Sequence, residues 1–135
     1  MSTAAIVYIL TALAAVVVVL TRVRLARGEG GAGRVEVGRR LVDVHTTAGV
    51  LALVLWVLFL FVGNATVGII ALALWWVVVV AGLLILVRWL PSGGRHATEG
   101  RQDTWSEGPG LSVLAHVGMF VGVCVFTWAY LTSAV

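Results

Sequence analysis

Two histidines stand in apolar surroundings near the charged ends of their segments. His45 lies a few residues inside Arg40, and His116 about two turns inside Glu107. Their depths can therefore match. Two imidazoles from different helices of a bundle can supply both axial ligands of a b-type haem. Gly49, one turn after His45, would relieve crowding against a porphyrin, and Arg39 and Arg40 could pair with its propionates. The plainer reading is that each histidine hydrogen-bonds a neighbouring helix or a water near the membrane interface. Four-helix haem proteins often carry four ligands or a more regular pattern, so the plainer reading is preferred and no cofactor is expected.

Other candidates are weaker. His96 lies near Glu99, Asp103 and Glu107, but no ligand spacing there is diagnostic of a metal, and a solvated loop of mixed charge explains it. No metal site is expected. The chain has no GxSxG, P-loop or HExxH motif. No carboxylate falls inside an apolar run to offer a proton path. Asn64-Ala65-Thr66 fits the glycosylation pattern, by chance on a tight turn at the lipid surface. Cys124 is the single cysteine and lies in an apolar run, so it reads as a small core residue.

The elements that must position these residues are membrane helices. The chain has 135 residues, 61% hydrophobic and 11% charged, far outside the range of a soluble domain. Between Val44 and Val87 there is no Asp, Glu, Lys or Arg. Two apolar runs of about 20 residues, enough to span the hydrocarbon core, flank Gly63-Asn64-Ala65-Thr66. That reads as a transmembrane hairpin. The spacing predicts helices over about residues 2–21, 41–62, 67–90 and 111–134, forming one domain. The fold class is all-α, an integral membrane antiparallel four-helix bundle.

Helical phase sorts the faces. In the second helix His45, Ala48, Gly49, Ala52, Trp56 and Phe59 share a side, and in the third Gly68, Ala71, Trp75, Val79 and Gly82 do. In the first, Ala4, Thr11 and Ala15 form a small stripe with Tyr8 among them. The fourth has a mildly polar face, Ser112, His116, Val123 and Thr127, and a small one, Ala115, Gly118, Gly122 and Ala129, which contains a GxxxG spacing. Such a stripe lets another backbone approach closely, inside the bundle or from a partner.

All nine basic residues are arginine, and every charged side chain lies within 22–43 or 88–107. The first window holds six Arg and three acids, the second three of each. With four crossings both windows fall on one side. Arginine-bearing loops stay cytoplasmic, which puts both termini outside a bacterial inner membrane. Arginine without lysine, with much Ala, Val and Gly, suggests a GC-rich, actinobacterial genome. No basic patch is interleaved with stacking aromatics, so nucleic acid is not a partner.

A pore would show a full polar stripe, and transporters are usually larger and built of repeats. The sequence thus favours a binding or structural role over an enzyme. The stretches RRLVDVHTTAG and WSEGPGLSVLAHVGMF, within the four-helix layout, resemble small actinobacterial accessory subunits of larger membrane machines such as Mce-type lipid importers. The resemblance covers the layout and brings no site residue. It implies a non-catalytic accessory or assembly subunit, most naturally in lipid transport, whose partners are other integral membrane subunits and membrane lipids. The alternative is a small b-type cytochrome or respiratory-chain subunit with His45 and His116 as haem ligands.

Overall fold

A computed structural model describes residues 1–26, 39–89 and 109–135. They form four helices: α1 (Thr3–Ala26), α2 (Arg39–Val62), α3 (Ala65–Trp89) and α4 (Pro109–Leu131). Each has 23 to 25 residues, about 35 Å of helix against about 30 Å of hydrocarbon. All four are long and apolar enough to cross a membrane. The chain is an integral membrane four-helix bundle.

The helix ends follow from local chemistry. Ser2 Oγ accepts the Ala5 N–H at 3.2 Å and caps α1. Between α2 and α3 the reversal takes only two residues. Gly63 adopts φ 68°, the left-handed conformation that closes a helix. Asn64 Oδ1 then accepts the N–H groups of Thr66 and Val67 at 3.0 and 3.2 Å. The Asn64 side chain is thus an N-cap. Pro109 opens α4, where its missing N–H costs nothing. At the far end Ser133 takes φ 52°, and Ala134 N–H donates to Ala129 O at 2.9 Å, the six-to-one bond of a Schellman cap.

The helices pack in cyclic order. α2 and α3 share the most extensive seam, α4 lies against α3, and α1 touches α2 and α4 more lightly. The pairs α1/α3 and α2/α4 therefore stand on the diagonals.

The core has two parts. Away from the histidines it is aromatic. Trp56, Trp75 and Phe126 are almost wholly buried. Trp56 stacks on Phe126 at 4.7 Å and meets Phe59 at 5.2 Å, and Phe59 meets Tyr130 at 5.4 Å. Two indoles find hydroxyl acceptors across the bundle. Trp56 Nε1 donates to Thr11 Oγ1 at 3.1 Å, and Trp76 Nε1 to Thr127 Oγ1 at 3.2 Å. Among the described residues Trp75 Nε1 is buried without a hydrogen-bond partner. Toward the histidines the inward residues of α2 and α3 are small: Ala48, Gly49, Ala52, Ala81 and Gly82 are buried.

The inward faces expected for α2 and α3 are the ones observed. Other expectations are corrected. The buried stripe of α1 is Val7, Thr11 and Ala14, whereas Tyr8 is 54% exposed. A helix apolar all round carries no phase in its hydropathy, and here the Thr11–Trp56 bond sets it. Cys124 is exposed, not in the core, because Val123 and Phe126 take the inward positions. α1 also continues past residue 21 to Ala26, lifting Arg22 onto a helix.

Candidate functional site

His45 comes from the first turns of α2 and His116 from the second turn of α4. These helices are diagonal, yet the two rings meet across the bundle interior. Their centroids are 6.0 Å apart and their planes differ by 17°. The rings are near-parallel and form an offset stack, at a separation within the usual range for such pairs.

Gly82 of α3 lies beneath both. A Cβ placed there would stand 2.9 Å from His45 Cε1, 2.8 Å from His116 Cδ2 and 3.1 Å from His116 Nε2. The two imidazole edges therefore converge over one glycine. His45 is tied down from the same helix: its Nδ1 is 3.0 Å from the Val78 carbonyl oxygen. A carbonyl can only accept, so Nδ1 carries the proton and the neutral ring keeps its lone pair on Nε2. A backbone carbonyl holding the other ring nitrogen is the usual support for a metal-binding histidine.

A porphyrin does not fit between these rings as they stand. Two imidazoles trans on one iron, each nitrogen about 2 Å from it, would hold His45 Cε1 and His116 Cδ2 about 5.6 Å apart on opposite sides of the porphyrin plane. The Gly82 Cβ position, 2.9 and 2.8 Å from those two atoms, would then fall almost on the iron, with the α3 backbone in the plane of the ring. Among the described residues no group of three or more His, Cys, Asp or Glu could hold an ion either.

The surroundings differ in part from the sequence reading. Gly49 is not the residue that makes room. A Cβ there would meet Val18 at 3.8 Å and Val78 at 3.9 Å, ordinary contacts. Gly82 takes that role, and neither it nor the Val78 carbonyl was tied to the histidines by the sequence. Arg40 is exposed on α2, and the Arg39 side chain lies outside the described residues. Instead Arg22 reaches over from α1, donating from Nη1 to Thr46 Oγ1 at 3.3 Å. Thr46 follows His45 and is buried. The loop group around His96 lies outside the described residues.

The small face of α4 divides. Ala129 is fully buried in the core and Ala115 half-buried. Gly118 is exposed and Gly122 buried, and a Cβ on either would meet nothing within 4 Å. Among the described residues nothing clamps the GxxxG pair against another helix.

The chain matches no protein-family model, no curated protein and no solved structure.

Proposed function

We propose that this chain is a non-catalytic accessory subunit of a larger membrane complex, most naturally one that moves lipid, and that α4 is the helix it docks through. The observation that carries this is the GxxxG pair of α4. A Cβ on Gly118 or Gly122 would meet nothing within 4 Å, so the close approach that such a spacing permits is left unused among the described helices. The histidines read as packing groups, with His45 hydrogen-bonded to the Val78 carbonyl of α3.

The test is co-purification in mild detergent at native expression level. Gly118→Leu combined with Gly122→Leu should leave a folded, membrane-inserted protein that loses its partner, and Val121→Leu should keep it. A double variant that is stable and still bound sinks the docking face. A Soret band in the native protein that disappears in His45→Gln or His116→Gln would replace this reading with a small b-type cytochrome.

The charge distribution supports an orientation for the site. With six Arg in one interhelical window and three in the other, both loops belong in the cytoplasm and both termini outside. The histidine pair then sits near the cytoplasmic face. Single cysteines at Ala65 and Ala97 test this, in a Cys124→Ala background made necessary by the exposure of Cys124. An impermeant thiol reagent on intact cells should label the first and spare the second. The opposite pattern reverses the orientation.

Partners follow from the docking face of α4, whose uncovered backbone at Gly118 offers a neighbouring integral membrane subunit a close approach.

A further inference from the structure

We infer that His45 and His116 form an acid-released latch on α4, so that docking through this helix weakens as the pH at the histidine end of the bundle falls. The inference rests on the docking reading above.

The pair joins two helices that stand on a diagonal of the bundle. Its rings are near-parallel with centroids 6.0 Å apart, and both are half-buried, so protons can reach them. As neutral rings they attract as other offset pairs do. A first proton puts one charge on the pair. A second makes two like charges about 6 Å apart, which at an effective dielectric of about 20 shifts the closed-to-open balance by about a hundredfold. The separated state therefore takes up the second proton more readily. By linkage the latch is fully closed above the ordinary histidine range, about 6.5, and is lost as the pH falls below it.

The release falls on α4. His45 donates from Nδ1 to the Val78 carbonyl whether its ring is neutral or charged, so it stays with α3. The far half of α4 is anchored: Thr127 accepts the Trp76 indole, Tyr130 donates to Ala65 O, and Phe126 stacks on Trp56. Toward the histidines, Val113 joins only the small cluster around Leu86, and Gly118 would meet nothing within 4 Å through a Cβ. Gly118 is two residues from His116, so movement of that half carries the docking face with it.

The other charged groups at this end come from α1 and α2. Arg22 of α1 is exposed and donates to Thr46. Arg40 and Asp43 are exposed on α2, and Asp43, two residues before His45, is turned about 160° from it. Among the described side chains α3 and α4 bring no further ionisable group to this end. The side chains of Arg24, Arg39 and Arg88 lie outside the described residues.

The test places spin labels on exposed Val44 of α2 and exposed Val117 of α4, in a Cys124→Ala background, with the full-length protein in lipid nanodiscs between pH 8 and 5. One short distance is expected at pH 8, and a second, longer one below about pH 6. His116→Phe keeps a ring that takes no proton and should hold the short distance throughout, as should His45→Gln. Asp43→Asn should respond like wild type. Partner co-purification should fall at least about tenfold between pH 7.5 and 5.5 in wild type, well within the hundredfold shift above, and hold in His116→Phe. A wild-type distance that does not change with pH overturns the inference, whatever the variants do. So does a change that survives both His116→Phe and His45→Gln, because other groups then carry it. So does a distance that lengthens while the partner stays bound. If Gly118→Leu combined with Gly122→Leu keeps its partner, the docking reading itself fails, and control of docking by the pair with it; that result is read without the spin labels.

Discussion

Gly82→Ala should lower the stability of the bundle at its histidine end. The new methyl would lie 2.8 Å from His116 Cδ2 and 2.9 Å from His45 Cε1. Carbon atoms prefer about 3.5–4 Å, so both rings must retreat, each from a different helix. His45 cannot retreat and keep its 3.0 Å contact with the Val78 carbonyl. Overpacking of this kind costs about 1–3 kcal/mol. Helix propensity works in the opposite direction, since alanine is favoured over glycine by about 1 kcal/mol. The measurement is reversible unfolding in mixed micelles. Gly49→Ala is the matched control, because its methyl would meet only Val18 and Val78 at ordinary distances, and it should be neutral or stabilising. Unchanged stability in Gly82→Ala means that the histidines do not depend on this floor.

Much of the fold is legible in the sequence because lipid imposes simple rules. Long apolar runs must be helices, a break of a few residues must be a reversal, and small residues opposite large ones must interdigitate. The last rule also held the information that located the site. In a hairpin, residues equally distant from the turn face each other. About Gly63–Asn64 this pairs Phe59 with Gly68, Gly49 with Val78, and His45 with Gly82, and all three pairs are close. The histidine's partner was therefore readable from the turn outward, once the turn was known to be two residues long. The sequence reading placed the turn over four residues, which blurs that register.

What hydropathy could not supply was the phase of α1 and α4. Both are apolar around their whole circumference, and small residues alone put Ala4, Thr11 and Ala15 on one stripe of α1. The structure keeps Thr11, which meets the Trp56 indole, and fills the rest of the buried stripe with Val7 and Ala14. Likewise Cys124 reads as a core residue by its neighbours in sequence, yet Val123 and Phe126 hold the inward side. The Arg22–Thr46 contact needed both pieces, the longer α1 and its phase, and so could not be reached from sequence.

Gly68→Ala should lower stability further, at the opposite end of the core, and leave the histidine pair untouched. Gly68 faces the aromatic end of the core. A Cβ there would stand 2.6 Å from Tyr130 Cε2 and 2.8 and 2.9 Å from two ring carbons of Phe59. Neither ring can yield freely. Tyr130 is held by its hydroxyl, which donates to Ala65 O at 2.8 Å, and Phe59 is packed on Trp56 at 5.2 Å. Overpacking of this kind costs about 1–3 kcal/mol. Freeing Tyr130 from Ala65 adds about 0.6–2 kcal/mol, the range for side-chain hydrogen bonds in membranes. The measurement is again reversible unfolding in mixed micelles. In a Tyr130→Ala background the cost of Gly68→Ala should shrink but not vanish, because Phe59 remains; that coupling isolates the Tyr130 share. If Gly68→Ala unfolds like wild type, the α2–α3 seam is looser than these distances require. If its cost changes in a Gly82→Ala background, the two halves of the core are not independent.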